Sequence, residues 1–233
     1  MTRDRNLNWE GCVNVRDLGG LGAVRPGALV RMEAPTNLSE RGWADAWAHG
    51  IRTVVDLRND DEIRPNRVAP PSGITTVRTP LDPVGTPFYE RWLQIDRLSS
   101  PLYYPALLAE HPKLVVDAVR AVATAAPGGV AFHCAGGKDR TGLLALVLLT
   151  LAGASPDEIV ADYLLTFDRM RQVYADLGVG DQLTRVSELL TEHGTTIERS
   201  LTSTITSLTM PDYLLDHGLT DTELDALLAR LTT

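Results

Sequence analysis

The hydrophobic and polar positions in the first half of the chain switch between the periods of strands and helices. Short apolar runs at residues 28–31 and 52–57 predict two strands, the second of them buried. Between them, residues 39–49 predict a helix that is capped by Ser39. Residues 74–79 alternate branched and polar side chains, which is typical of a half-buried strand.

The second half is predicted to be mostly helical. Residues 114–126 have a helical period, residues 130–133 form a short apolar strand, and residues 139–152 read as a buried helix. Residues 155–158, Ser-Pro-Asp-Glu, form a strong helix start, with Ser as the cap, Pro in the first turn and Glu completing a capping box. Residues 220–223 repeat this device, so helices are expected up to the end of the sequence.

Strands that alternate with helices and are then followed by helices predict an α/β fold. We expect a mainly parallel central sheet flanked by helices, with additional C-terminal helices in residues 155–233. No composition break suggests a second domain, so residues 1–233 are interpreted as one domain. Prolines and a glycine interrupt regular structure at residues 80–87, and residues 80–112 are interpreted as a possible lid containing a short surface helix.

The composition of the chain limits the binding partners and the cellular location that we expect. A formal net charge of -8 and a pI near 5.1 argue against a nucleic-acid surface, which needs a basic face. The two cysteines are too few for a disulfide framework, and Cys12 is interpreted as a passive small residue. We find no conventional signal peptide and no apolar run long enough to span a bilayer. A soluble, cytoplasmic protein is therefore expected, with unconventional export left open.

The most informative stretch is HCAGGKDRTG at residues 133–142, which leaves a predicted strand and enters a predicted helix. The adjacent Gly136 and Gly137 allow the backbone to curl, so that successive N–H groups face one concavity. The helix start adds its positive dipole end, and Arg140 can offer a bidentate fork to phosphate oxygens. The pattern predicts a phosphate-binding loop whose field would stabilise a nucleophilic thiolate at Cys134.

This stretch is similar to the H-C-x5-R-[ST] signature of the cysteine-dependent protein tyrosine phosphatases. Its K-D-R-T-G ending resembles the bacterial atypical branch of that family, which includes tyrosine-specific and dual- or triple-specificity enzymes acting on phosphoproteins and phosphoinositides. Residues 14–20 (NVRDLGG) and 54–58 (VVDLR) resemble two further segments of that branch. Residues 211–231 resemble its closing helix pair. Nothing comparable is recognised in residues 80–112 or 166–208, so the lid and the substrate specificity are not inferred from the resemblance.

The resemblance implies a phosphomonoester hydrolase that forms a phosphocysteine intermediate and uses no metal or other cofactor. Cys134 would attack phosphorus, and Arg140 would bind the phosphoryl group. Thr141 would help the thiolate leave in the second step, and His133 would tune the cysteine through hydrogen bonds. The backbone groups implied to bind phosphate are those of Ala135, Gly136, Gly137, Lys138, Asp139 and Arg140.

The proton donor to the leaving group is left open among three aspartates. Asp139 is favoured because it lies inside the loop and matches the Asp of the K-D-R motif. Asp56 is an alternative, since it ends a predicted strand whose carboxyl end should face the active-site crevice. Asp82 lies between two prolines on a loop that could close over substrate.

The reaction class and the substrate also have alternatives. Phosphotyrosine proteins are favoured, with phosphoserine, phosphothreonine or phosphoinositides as further substrates. Lys138 would suit a substrate with several phosphates, but Ala135 stands where related lipid phosphatases usually carry another lysine. A rhodanese-like sulfurtransferase is one alternative, but its loop is usually shorter than the five residues between Cys134 and Arg140. A non-catalytic phosphate-binding module is another, but such a module usually lacks one of these two residues, and both are present here. The oligomeric state is left open.

Overall fold

The computed structural model describes residues 4–95 and 97–232 and has a five-stranded sheet at its centre. The strands are β1 (Arg16–Asp17), β2 (Leu29–Met32), β3 (Ile51–Asp56), β4 (Thr75–Arg78) and β5 (Gly129–His133). Their order in the sheet is β1-β2-β5-β3-β4, with β1 antiparallel to β2 and all other neighbours parallel. The prediction of a mainly parallel sheet is confirmed.

Helices cover the sheet and extend beyond it. In chain order they are α1 (Glu40–Ala48), α2 (Pro87–Gln94), α3 (Tyr103–Glu110), α4 (Pro112–Ala123), α5 (Asp139–Leu151), α6 (Pro156–Asp176), α7 (Gln182–Glu192), α8 (Ile197–Ser207), α9 (Asp212–Asp216) and α10 (Asp221–Thr232). The predicted caps are confirmed: the Ser39 side chain accepts from the Gly42 amide, and both bonds of the capping box at Ser155 form. No helix of the described ranges is long and apolar enough to cross a membrane.

Three elements differ from the sequence prediction, each because of tertiary surroundings. Helix α3 has no side-chain cap and includes a proline, so no local signal marked its start. Strand β1 is only two residues long and is defined by its pairing with β2. The expected half burial of β4 is wrong, since it lies at the edge of the sheet and most of its residues are exposed.

The sheet separates two hydrophobic clusters, and successive residues of a strand enter opposite ones. In β5, Val130 and Phe132 belong to the larger cluster, whereas Ala131 packs in the smaller one. The larger cluster also contains α5, in which every residue at positions 141–149 is buried. A helix that is apolar on all sides needs neighbours on all sides, so α5 is the central helix of the larger layer and its start is rigidly placed.

We expect Leu148→Ala in α5 to lower the free energy of unfolding by about 3 kcal/mol, because the side chain is fully buried and leaves a cavity. The matched control is Leu177→Ala, whose side chain is 69% exposed and should change stability by less than about 0.5 kcal/mol. Chemical denaturation of both variants measures the difference. Equal losses would contradict the central placement of α5.

Candidate active site

The loop at residues 134–138 joins the end of β5 to the start of α5 at the carboxyl edge of the parallel strands. Its tight curve depends on Gly137, which has a φ of +69°. A Cβ atom at this position would lie 2.4 Å from the carbonyl oxygen of Met32, at the end of β2. Only glycine fits, so the loop is pressed against the neighbouring strand and its path is fixed.

The predicted nucleophile and its two supporting residues are buried at this point. Cys134 is 3% exposed and follows His133 directly. The His133 Nδ1 atom lies 2.9 Å from the Cys134 carbonyl oxygen, and burial lowers the pKa of His133 to about 4, so the neutral ring donates this bond. The Thr141 hydroxyl is also buried and has no hydrogen-bond partner among the described residues.

Arg140 is surrounded by two carboxylates from distant parts of the chain. Glu62 accepts from both terminal nitrogens of the guanidinium, one bond measuring 2.5 Å, and Asp82 Oδ2 lies 3.3 Å from Arg140 Nε. Glu62 is itself held by a 2.9 Å bond from the Asn59 amide. Burial alone would raise the pKa of Glu62, but the contact with Arg140 holds it below its usual value. Glu62 therefore stays ionised and fixes the guanidinium.

Two of the three candidate proton donors lie beside Arg140, and their surroundings differ. Burial raises the pKa of Asp82 to about 6 against the attraction of Arg140, and the neighbouring carboxylates of Glu62 and Asp139 add to the rise. Asp139 Oδ1 instead lies 3.1 Å from the ammonium of Lys138, with which it forms an ion pair. The two side chains are 12% and 20% exposed, respectively.

The third candidate, Asp56, is engaged elsewhere. Its carboxylate accepts bonds of 2.9 and 2.8 Å from the Arg58 guanidinium and lies 3.7 Å from His133 Nδ1. Burial acts to raise the pKa of Asp56, but these contacts lower it overall. The strand end was correctly expected at this edge of the sheet, yet the carboxylate is paired inside the protein.

A cavity of about 270 Å³ opens beside the loop. Its charged lining is Glu62, Asp82, Asp139 and Arg140, and its other lining residues are Tyr89, Leu93, Leu98, Ser99, Tyr103, Tyr104, Leu107 and Leu143. Most of the uncharged lining comes from residues 80–112, so the predicted lid segment forms the wall of this cavity. Neither Cys134 nor Asp56 is among the lining residues described. In the aromatic cluster near α2, Phe88 is in the core whereas Tyr89 faces the cavity.

Lys138 does not point freely into the cavity. Its ammonium donates to the Ser99 carbonyl oxygen at 2.9 Å, pairs with Asp139, and lies 5.3 Å from the centre of the Phe167 ring. Only 5% of the residue is exposed. The ammonium thus joins the loop at residues 134–138 to Ser99 in the wall of the cavity.

The structure brings Asp82, from a separate segment, to Arg140 and into the same cavity lining as Asp139, whereas Cys134, Asp139 and Arg140 were already joined in one sequence motif. Sequence reasoning missed Glu62, because its only local signal is the capping arrangement with Asn59 three residues earlier, which says nothing about Arg140. No group of three or more His, Cys, Asp or Glu side chains in the described ranges is placed to hold a metal ion.

Comparison with known proteins supports the resemblance seen in the loop. A protein of Cupriavidus necator, provisionally named a tyrosine-protein phosphatase, is 32% identical over 178 residues, which are 72% of this chain and 65% of that protein. The triple specificity protein phosphatase PtpB of Mycobacterium tuberculosis is 30% identical over 212 residues, or 77% of this chain and 72% of PtpB. A tyrosine-protein phosphatase of Nostoc commune is 49% identical over 45 residues, or 19% of this chain and 15% of that protein.

The chain thus spans about two thirds of the length of the first of these relatives. Beyond the individual relatives, the profile of the tyrosine phosphatase family matches residues 7–233, nearly the whole sequence. The matched range includes the loop, both carboxylates at Arg140 and the C-terminal helices. The chain belongs to the tyrosine phosphatase family.

Proposed function

We propose that this protein is a cysteine-dependent phosphomonoester hydrolase that acts on phosphotyrosine in proteins. The observation that supports it most is the strand–loop–helix unit at residues 133–142. This unit joins a buried cysteine to a helix N-terminus and to Arg140, which lines a cavity that also contains the carboxyl groups of Glu62, Asp82 and Asp139. Family membership supports the same reaction class.

In the proposed reaction, the Cys134 thiolate attacks phosphorus, an S–P bond forms, and the P–O bond to the leaving group breaks. Arg140 and the N–H groups of the loop hold the phosphoryl oxygens, which is where catalysis of phosphoryl transfer mainly arises. A carboxylic acid gives its proton to the departing oxygen. Water then attacks phosphorus and gives a proton to the carboxylate left by the first step, while the S–P bond breaks and inorganic phosphate and the thiolate are released. The Thr141 hydroxyl, in the first turn of α5, would stabilise that leaving sulfur.

Replacing the nucleophile tests the mechanism directly. We expect Cys134→Ser to reduce hydrolysis of p-nitrophenyl phosphate by about 1000-fold or more, because serine is not ionised at neutral pH. The matched control is Cys12→Ser, which changes the other cysteine and should retain wild-type turnover. Assays contain a reductant and a chelator.

Two other results would identify a different function. Wild-type protein that binds orthovanadate but hydrolyses no phosphomonoester would support a phosphate-binding module. Transfer of sulfur from thiosulfate to cyanide that depends on Cys134, without phosphatase activity, would support a sulfurtransferase.

For the proton donor, the surroundings of the carboxyl groups favour Asp82, although the sequence motif favoured Asp139. A donor must be protonated at the working pH, and the pKa of Asp82 is raised to about 6, whereas the carboxylate of Asp139 is engaged in a contact with the Lys138 ammonium. Asp56 is paired with Arg58 and its pKa is lowered. We therefore assign the proton to Asp82, and Asp139 is retained as the charged partner of Lys138.

This assignment predicts a pH profile. For a phosphorylated tyrosine, whose leaving group needs a proton, kcat should fall as the pH rises through about 6, because Asp82 loses the proton that it would donate. Asp82→Asn should lower kcat by about 100-fold and remove that limb of the profile. With p-nitrophenyl phosphate, which leaves readily without a proton, the loss should be much smaller. If Asp139→Asn, and not Asp82→Asn, shows this dependence on the leaving group, the donor is Asp139.

The cavity favours an aromatic phosphomonoester over a headgroup with several phosphates. Tyr89 and Tyr103 supply aromatic surface for a substrate ring. A second phosphate would meet Glu62, Asp82 and Asp139, while Lys138, the cation expected to attract it, is already paired. Like charges placed together cost several kcal/mol, which supports phosphotyrosine as the preferred substrate.

We expect kcat/KM for a phosphotyrosine peptide to exceed that for short-chain phosphatidylinositol phosphates by at least about tenfold, which corresponds to about 1.4 kcal/mol. Phosphate release is measured for the same peptide carrying phosphotyrosine, phosphoserine or phosphothreonine, and for the soluble lipids. Short-chain lipids are used because they are soluble, so their hydrolysis measures recognition of the headgroup without binding to a membrane surface. Faster hydrolysis of the lipids would contradict the substrate assignment and leave the cysteine mechanism intact.

A further inference from the structure

The carbonyl oxygens of the phosphate-binding loop are all engaged by protein donors, and those of Ala135, Gly136 and Gly137 are held by groups that do not line the cavity. From Cys134 to Asp139, every carbonyl oxygen accepts a hydrogen bond. The donors, in that order, are His133 Nδ1 (2.9 Å), the Ala34 amide (2.9 Å), Asn14 Nδ2 (3.0 Å), Arg31 Nη2 (2.8 Å), the Gly142 amide (2.7 Å) and the Tyr104 hydroxyl (2.8 Å). In a planar trans peptide the C=O of one residue and the N–H of the next point in opposite directions. Holding the oxygens outward therefore turns the following N–H groups inward.

Two of these donors are side chains that come from far away in the sequence and reach the two flexible glycines. Asn14 donates to Gly136 and, at 3.4 Å, also to Gly137, while Arg31 donates to Gly137 and, at 3.4 Å, to Lys138. Asn14 is fully buried and Arg31 is 1% exposed. Glycine has the least intrinsic preference for one backbone conformation, so these peptides depend most on outside donors.

The orientation of the Asn14 amide is fixed by a third residue. Arg16 Nη1 donates to Asn14 Oδ1 at 2.6 Å. A guanidinium can only donate, so this bond places the oxygen of the amide toward Arg16 and leaves the NH₂ group for the loop. Arg16 thus fixes the orientation of the Asn14 amide, with its NH₂ group toward the loop.

Asp162, in α6, holds both arginines. Its carboxylate is 2.7 Å from Arg31 Nη1 and 3.0 Å from Arg16 Nε, and Arg5 adds a third contact at 2.8 Å. Burial raises the pKa of Asp162, but the three guanidinium groups outweigh it and keep the pKa far below its usual range. This carboxylate is therefore charged at every pH at which the enzyme would work, and it sets the direction of both guanidinium groups.

We propose that Asn14 and Arg31 are positioning residues for phosphoryl transfer, oriented by Arg16 and Asp162. They fix the peptide planes of Gly136 and Gly137, so that the N–H groups of Gly137 and Lys138 face the phosphoryl oxygens before substrate arrives. This inference rests on the proposed function, because it assigns a purpose to the loop as a phosphate cradle. It gives the NVRDLGG segment, residues 14–20, a role in the reaction.

The decisive variant is Asn14→Asp, which keeps the shape and the contact with Arg16 but presents an oxygen to the Gly136 carbonyl. We expect kcat/KM for a phosphotyrosine peptide to fall by about 100-fold, because a misplacement of about 1 Å in such a site has that effect. Orthovanadate, which binds as an analogue of the transferring phosphoryl group, should inhibit at least about tenfold more weakly, as expected when a preorganised hydrogen-bond set is lost.

The matched control is Thr166→Val, in the same buried cluster. The Thr166 hydroxyl accepts from Arg16 at 3.0 Å and does not touch the loop in the structure described. The Thr166→Val variant should lower the midpoint of thermal unfolding, because a buried hydrogen bond is lost. Its kcat and its inhibition by orthovanadate should stay within about twofold of wild type, because Thr166 makes no hydrogen bond to the loop. All assays are run below the onset of unfolding of every variant.

A second variant, Arg31→Lys, keeps the positive charge beside Asp162 and removes the guanidinium fork that joins Asp162 to Gly137. The same joint loss of kcat and orthovanadate affinity is expected, so the inference stays testable if Asn14→Asp does not fold. Folded variants with wild-type orthovanadate inhibition and kcat would overturn it. A wild-type protein that neither hydrolyses phosphomonoesters nor binds orthovanadate would instead overturn the proposed function.

Discussion

The buried pairing of Asp162 with Arg16 and Arg31 is the interaction on which the geometry of the loop at residues 134–138 depends. It joins three segments that are distant in the sequence: the region of β1, the strand β2 and the helix α6. Ion pairs removed from water gain little net stability, since the loss of hydration offsets their attraction, whereas removing one partner costs about 3–5 kcal/mol. These ion pairs act here by orienting the two guanidinium groups. Arg31 donates to the Gly137 carbonyl oxygen in the loop, and Arg16 donates to Asn14, which in turn donates to the loop.

A similar principle acts on the opposite side of the loop. Arg140 would be a mobile cation if it were exposed, but Glu62 and Asp82 hold it at the cavity. The burial that brings Asp82 against Arg140 has a second effect, because it raises the pKa of Asp82 to about 6, and the nearby carboxylates of Glu62 and Asp139 add to the rise. The fixed guanidinium and the raised pKa of Asp82 thus both result from packing these charged groups together at the cavity.

Much of the fold could be predicted because its signals are local. Caps at Ser39 and Ser155, the apolar strand before Cys134 and the all-apolar helix after it depend on neighbours within a few residues, and the structure confirms each. Helix α3 and the exposure of β4 could not be predicted in this way. Their conformation follows from what packs on them, and no short stretch of sequence encodes that.

In the candidate site, too, the features that could be predicted are local in sequence and the others depend on tertiary packing. The loop could be identified from the sequence, with its cysteine, two glycines, arginine and helix start, because all of these features lie on consecutive residues. The sequence could not indicate that Glu62 and Asp82 flank Arg140, that Lys138 is paired with Asp139, or that Asn14 and Arg31 hold the glycine carbonyls. These contacts join residues tens to more than a hundred positions apart in most cases, and their distances and burial exist only after the sheet and α6 have packed around the loop.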